Sequence, residues 1–142
     1  MTRIDFYYDA ADRLLVACRL AAKAAQQNLR VLIYAPDAET ARAMDRMLWT
    51  SPPTGFVPHC MAHDRLAAET PVLITEDRET VPHDEVLVNL SAERPAHFAR
   101  FQRLVEIVGR EEAERAAARD RFRFYRERGY QIYTHDLGHG DR

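Results

Sequence analysis

The chain has 142 residues, 46% of them hydrophobic and 30% charged, with a net charge of −2. That length suits one domain with a real core, and the mild negative charge excludes a general nucleic-acid binder, because phosphate affinity grows with the number of neutralising cations. No apolar run approaches the ~20 residues of a membrane-spanning helix. The opening MTRIDFYYDAADR carries charge where a secretory signal needs an apolar stretch, and Cys18 and Cys60 lack a Cys-x-x-Cys spacing, so a soluble, cytoplasmic protein is expected.

RIDFYY (3–8) reads as a strand. A helix follows over 10–28, with Leu14, Cys18, Ala21, Ala22 and Ala25 at three- and four-residue steps. Asp9 or Asp12 suits its cap, and Asn28 its end. RVLIYA (30–35) has the near-continuous apolar character of a strand buried on both faces. A second helix covers 37–49, with Asp37 and Glu39 at its positive end. TSPPTG (50–55) is a break, since Pro52 and Pro53 cannot sit inside a helix. FVPHCMA is a short extended piece, and PVLITED (71–77) and EVLVNL (85–90) are two more buried strands. PAHFARFQR starts a short helix after Pro95, and LVEIV (104–108) either continues it or forms a strand. The last helix, 110–129, closes at Gly129. Its Glu111, Glu112 and Glu114 lie at the positive end of the dipole and Arg126 and Arg128 at the negative end.

Alternating β and α units predict a single α/β domain over 1–142, with a mostly parallel central sheet flanked by helices and a flexible tail over 134–142. Such a fold is Rossmann-like in arrangement, but the turn after the first strand, YYDAADR, holds no glycine. A phosphate-binding turn needs glycines so that backbone N–H groups can approach the phosphate. None of Gly55, Gly109, Gly129, Gly138 and Gly140 forms a nucleotide-binding motif, and no cofactor is expected. HCMAHD sets His59, Cys60, His63 and Asp64 together, and HDLGH repeats the four-residue step with His135 and His139. Zinc sites exploit that spacing on a helix, but Pro58 opposes a helix at the first pair and the second falls in the expected tail. Asp5 and Asp9 offer acid catalysts or Mg²⁺ ligands, with Asp9 read first as a helix cap. A small nucleotide- or metal-dependent hydrolase is therefore the competing functional class.

ARDRFRFYRERGY (118–130) carries five arginines against two acids, a local charge of +3. At 100° per residue, Arg115, Arg119, Arg123 and Arg126 form one stripe within about 80°. Phe122 borders the stripe, Ala118 and Tyr125 lie just beyond it, and Phe124 points elsewhere. One reading is a solvated charged face over core aromatics. The other is a recognition surface, in which arginine forks grip carboxylates beside an aromatic hollow. Such a surface suits an acidic peptide with an apolar anchor worth about 2 kcal/mol or more; direct binding of single-stranded DNA by the same helix is a further possibility. A second candidate surface surrounds the proline break, where Trp49, Phe56 and Val57 are either core or partner anchors.

LWTSPPTGFVPH, PVLIT, VLVNLS, FQRLVEIV and ARDRFRFYRERGYQIYTHD, in this order and spacing, resemble the chi subunit of bacterial DNA polymerase III. The resemblance runs essentially end to end, most distinctively over 48–136. It implies an α/β fold without nucleotide chemistry and a non-catalytic, accessory role in the clamp-loader part of the replicase. It further implies binding of the acidic C-terminal tail of single-stranded DNA-binding protein, which ends in an apolar aromatic residue. That site maps to Arg119, Phe122 and Arg123, with Tyr125, Arg126 and Arg115 beside them. Contact with the psi subunit, which links chi to the clamp loader, maps to the region of Trp49, Phe56 and Val108. DNA would be reached only through the tail-bearing protein. Family members often carry tyrosine where Phe122 stands, which removes one hydrogen bond and keeps the anchor. The resemblance also turns LVEIV towards a strand.

Overall fold

The computed structural model describes residues 1–50, 57–76 and 83–140. In chain order these form β1 (Arg3–Ala10), α1 (Arg13–Gln26), β2 (Val31–Tyr34), α2 (Ala38–Thr50), β3 (His59–Met61), β4 (Val72–Thr75), β5 (Val86–Asn89), β6 (Arg103–Gly109), α3 (Glu112–Glu127), β7 (Ile132–Asp136) and a short α4 (Leu137–Gly140). Most of the proline break, with Pro52 and Pro53, lies outside the described residues, as does Phe56 after it.

The strands make one open sheet of seven in the order β3-β4-β2-β5-β6-β1-β7. Every pairing is parallel, so the expected "mostly parallel" sheet is parallel throughout. Successive side chains of a strand face opposite ways, and the residue types sort accordingly. Val31, Ile33, Val72, Ile74, Val86, Val88, Val105 and Ile107 pack on the side of α1 and α2. Leu32, Leu73, Leu87 and Leu104 pack with Ile4 and Phe6 on the side of α3. The near-continuous apolar runs of the sequence are thus strands with two dry faces.

Local chemistry sets the helix ends. Asp12 caps α1, its carboxylate accepting from the Leu15 N–H at 3.1 Å, and Asp37 accepts from the Thr40 N–H at 2.8 Å ahead of α2. Asn28 (φ 63°) and Gly129 (φ 83°) take the left-handed conformation that closes α1 and α3. Asp9 is no cap: it lies within the last residues of β1 with φ 62° and meets Arg110 at 2.8 Å.

Two expectations change. The helix expected after Pro95 shrinks to a single 3₁₀ turn, Phe98–Arg100. Phe98 and Phe101 are both buried, and the three-residue spacing of a 3₁₀ turn puts them on one side before the chain enters β6. The expected flexible tail over 134–142 instead starts as part of the sheet. Thr134, His135 and Asp136 pair with Phe6, Tyr7 and Tyr8, extending β7 along the sheet edge.

His83 is buried, with its Nε2–H donated to the Thr70 carbonyl at 2.7 Å; its Nδ1 finds no partner among the described residues. Burial lowers its pKa, outweighing the opposing hydrogen bond to Thr70. The unfolded chain therefore takes up a proton first as pH falls, and stability drops below pH ~6.5, by at most about 1.4 kcal/mol per pH unit. Urea unfolding of wild type and His83→Gln at about pH 7.5 and about pH 5.5 checks this: the wild type should weaken more steeply with acid than the variant.

Candidate functional site

The chain leaves β1 through α1 towards β2 and later leaves β6 through α3 towards β7. The two helices pack on opposite faces of the sheet, so β1 and β6 flank a topological switch point. What holds α3 there is a polar cluster inside an otherwise apolar layer. Glu106 on β6 is fully buried. Its Oε1 accepts from Asn89 Nδ2 at 2.9 Å and Arg121 Nε at 3.1 Å, and its Oε2 from the Tyr125 hydroxyl at 2.7 Å. Arg121 also donates to the Ala92 carbonyl at 2.7 Å. Burial drives the Glu106 carboxyl upward, and Arg121, Tyr125 and Asn89 draw it down without cancelling the rise, leaving it raised. The Tyr125 hydroxyl is pushed up strongly, by burial first and then by the adjacent carboxylate. Tyr125 is fully buried and has no surface to offer a ligand, which corrects its inclusion in the tail-binding site.

The rest of the stripe is at the surface. Arg115, Arg119 and Arg123 have side chains 58%, 56% and 61% exposed, and their partners are Glu112 and Asp120, themselves 72% and 78% exposed. Arg119 and Arg115 share the single carboxylate of Glu112, at 3.0 and 4.0 Å, and together they hold it below its ordinary range. Arg123 reaches Asp120 at 3.5 Å. Exposed pairs of this kind contribute little and exchange readily, so an incoming carboxylate can take them over. Arg126 forms no ion pair among the described residues; its guanidinium lies 5.9 Å from the Phe122 ring. Phe122 is half-buried, its ring 5.3 Å from Phe6, which stacks on Tyr8 at 5.7 Å. The helix thus presents guanidiniums beside an accessible ring that is braced from below.

Tyr8 leads to an open cleft of about 410 Å³ at the carboxyl ends of the strands, lined also by Asp9, Gly109, Arg110, Arg115 and Asp136. This switch-point crevice is where open parallel sheets take ligands. Here the Asp9–Arg110 ion pair crosses it. Asp9 also abuts Gly138, where a Cβ would stand 1.8 Å from its carboxylate. Asp5 is fully buried and accepts from Arg3, Arg103 and His135. Burial raises its pKa, and these three donors more than reverse that, leaving it lowered. His135, stacked 4.3 Å from Tyr7, thus clamps the edge strand. His59 bonds the Val57 carbonyl at 2.7 Å and faces Asp45 at 3.4 Å. Among the described residues no three His, Cys, Asp or Glu side chains gather as a metal site.

The second candidate surface divides. Trp49 is 58% exposed, with its ring set edge-on to His59 at 5.1 Å. Val57 and Val108 are buried, in core layers on opposite sides of the sheet, so neither joins Trp49 at a surface. Phe56 lies outside the described residues. Reasoning from sequence missed the Glu106–Arg121 pair and the switch-point cleft. The first had a signal: a carboxylate within LVEIV needs a buried cation, and Arg121 falls on the Ala118–Tyr125 side of the helix.

Taken together, these features define an open parallel α/β protein whose helix α3 turns cationic forks and a half-buried ring outward. Residues 1–133 match the family described as DNA polymerase III chi subunit, HolC. The chain is 41% identical to DNA polymerase III subunit chi of Pseudomonas aeruginosa, over 96% of this chain and 98% of that one. It is 28% identical to the subunit chi of Haemophilus influenzae, over 87% and 86% of the two chains. The figure for that of Escherichia coli is also 28%, over 84% and 82%. The chain belongs to the chi-subunit family of DNA polymerase III, which sets it in DNA replication.

Proposed function

We propose that this protein is a non-catalytic accessory subunit of the replicase clamp-loader assembly that captures the acidic C-terminal tail of single-stranded DNA-binding protein on α3. The observation that carries this reading is the guanidinium row Arg115, Arg119, Arg123 and Arg126 beside Phe122. The forks bind carboxylates bidentately, and the apolar end of the tail packs against the ring. Trp49, exposed on the far side of the sheet's first helical layer, is the anchor for a psi-type partner that bridges to the clamp loader. Many weakly held tails at high local concentration keep the assembly near the template without trapping it.

Calorimetric titration with a synthetic acidic tail peptide tests this. Arg119→Ala or Phe122→Ala should each weaken binding about tenfold, or ~1.4 kcal/mol, with far-UV circular dichroism unchanged. Wild-type affinity in both variants would remove the assignment. A small hydrolase would use the switch-point cleft instead. Marked thermal stabilisation by nucleotide or Mg²⁺, lost in Asp9→Asn, would favour that reading.

A further inference from the structure

One row of side chains crosses the α3 face of the sheet. Asn89, Glu106, Phe6 and Thr134 are register partners on β5, β6, β1 and β7. Arg121 and Tyr125 close on Glu106, and Phe122 meets Phe6. The next position in the row is Thr134, which is exposed. The Phe122 flank of α3 therefore faces the β7 end of the sheet, and the stripe runs beside that edge. The arginines of the stripe, Arg115, Arg119, Arg123 and Arg126, face two paired carboxylates, Glu112 and Asp120, so the flank carries a positive surplus.

β7 is the last strand of the sheet and pairs on one side, with β1. Ile4 donates its backbone N–H to the Gln131 carbonyl. Backbone groups of a parallel strand alternate in direction, so Tyr133 and His135 also turn theirs to β1, while Ile132 and Thr134 turn theirs outward. Among the described residues neither outward N–H finds a backbone partner. A bare edge of this kind is a template for another strand, and proteins commonly blunt it with Lys, Pro, a bulge or extreme shortness. β7 has five residues with no Lys or Pro among them, and its register with β1 is unbroken. The opposite edge, β3, has three. The His135–Asp5 contact fixes β7 in place, so the template is already formed before a ligand arrives.

We propose that the acidic tail binds as an extended strand added to the free edge of β7, its backbone pairing with the outward N–H and C=O groups of Ile132 and Thr134. The occupant follows from the charge of the stripe alongside, so the proposal rests on the reading of α3 as the tail site. An added strand lies about 4.8 Å beyond β7. Its side chains on the α3 face rise beside Phe122 and the guanidiniums. Backbone pairing then supplies affinity, and the stripe selects carboxylates and an aromatic end.

Amide exchange followed by NMR and calorimetric titration test this on the full chain, with a synthetic acidic peptide ending in an aromatic residue. Saturating peptide should slow exchange at Ile132 and Thr134 about tenfold or more, and Thr134→Pro should weaken binding about tenfold with circular dichroism unchanged. Proline there removes an N–H that β1 does not use, which an edge strand tolerates; should the variant fail to fold, exchange in the wild-type chain decides. Peptide that binds wild type and is weakened by Phe122→Ala, yet leaves both amides exchanging as in the free protein, overturns strand addition and keeps the tail reading. Wild-type affinity in a folded Thr134→Pro does the same. Absence of any binding overturns both. Slow exchange at these two amides without peptide, deepening with protein concentration, assigns the edge to a second copy of this chain and overturns the proposal.

Discussion

Replacing Arg121 with alanine should lower the unfolding free energy by about 3–5 kcal/mol, because it strands the Glu106 carboxylate in the core. A domain of this kind has roughly 5–15 kcal/mol in total, so the loss is a large part of it. Glu106 is fully buried, and Arg121 is its only cationic partner among the described hydrogen bonds. The substitution also frees the Ala92 carbonyl that Arg121 reaches, loosening α3 from the segment after β5. Removing both charges with Glu106→Gln and Arg121→Met should cost less than Arg121→Ala alone, since no buried ion is then left unpaired. Urea denaturation followed by circular dichroism measures both. A loss under about 1 kcal/mol for Arg121→Ala would mean that the carboxylate is not ionised inside.

Reversing two charges of the stripe, Arg119→Glu with Arg123→Glu, should reduce affinity for an acidic tail peptide a hundredfold or more, about 2.7 kcal/mol. Each exchange removes a fork and adds a repulsive carboxylate, so the effect exceeds that of alanine. Both side chains are more than half exposed, and the fold should survive. Raising salt should weaken the wild-type complex and affect the reversed variant in the opposite sense, since screening relieves repulsion as well as attraction. Calorimetry across a salt series reads both signs. Equal affinity of wild type and reversed variant at low salt would sink the docking model for this helix.

The architecture was legible in the residues because each buried strand must be apolar for its own local reason. VLIYA, VLIT and VLVN have no polar face to turn outward, so they announce a sheet covered on both sides. The same holds for α3, whose 3.6-residue period separates the stripe from Ala118 and Tyr125. Tyr125 was misread because the period gives an angle and not a depth. It lies beside the stripe in projection, yet Glu106 draws its hydroxyl inward. LVEIV was ambiguous for a related reason, since its carboxylate is tolerable in a strand only when Arg121 folds back onto it from the following helix.

Composition, periodicity and the glycine-free turn after β1 established an α/β domain with a basic, aromatic last helix, because these depend on residues close together in the chain. Tertiary packing alone decided that Val57 and Val108 belong to opposite core layers. It also decided that β7 closes the sheet edge through the His135–Asp5 contact, and that Arg94 joins Arg128 over Phe124. Those contacts join residues dozens of positions apart. No local pattern encodes them, because their free energy appears only once the sheet has brought both partners to one place.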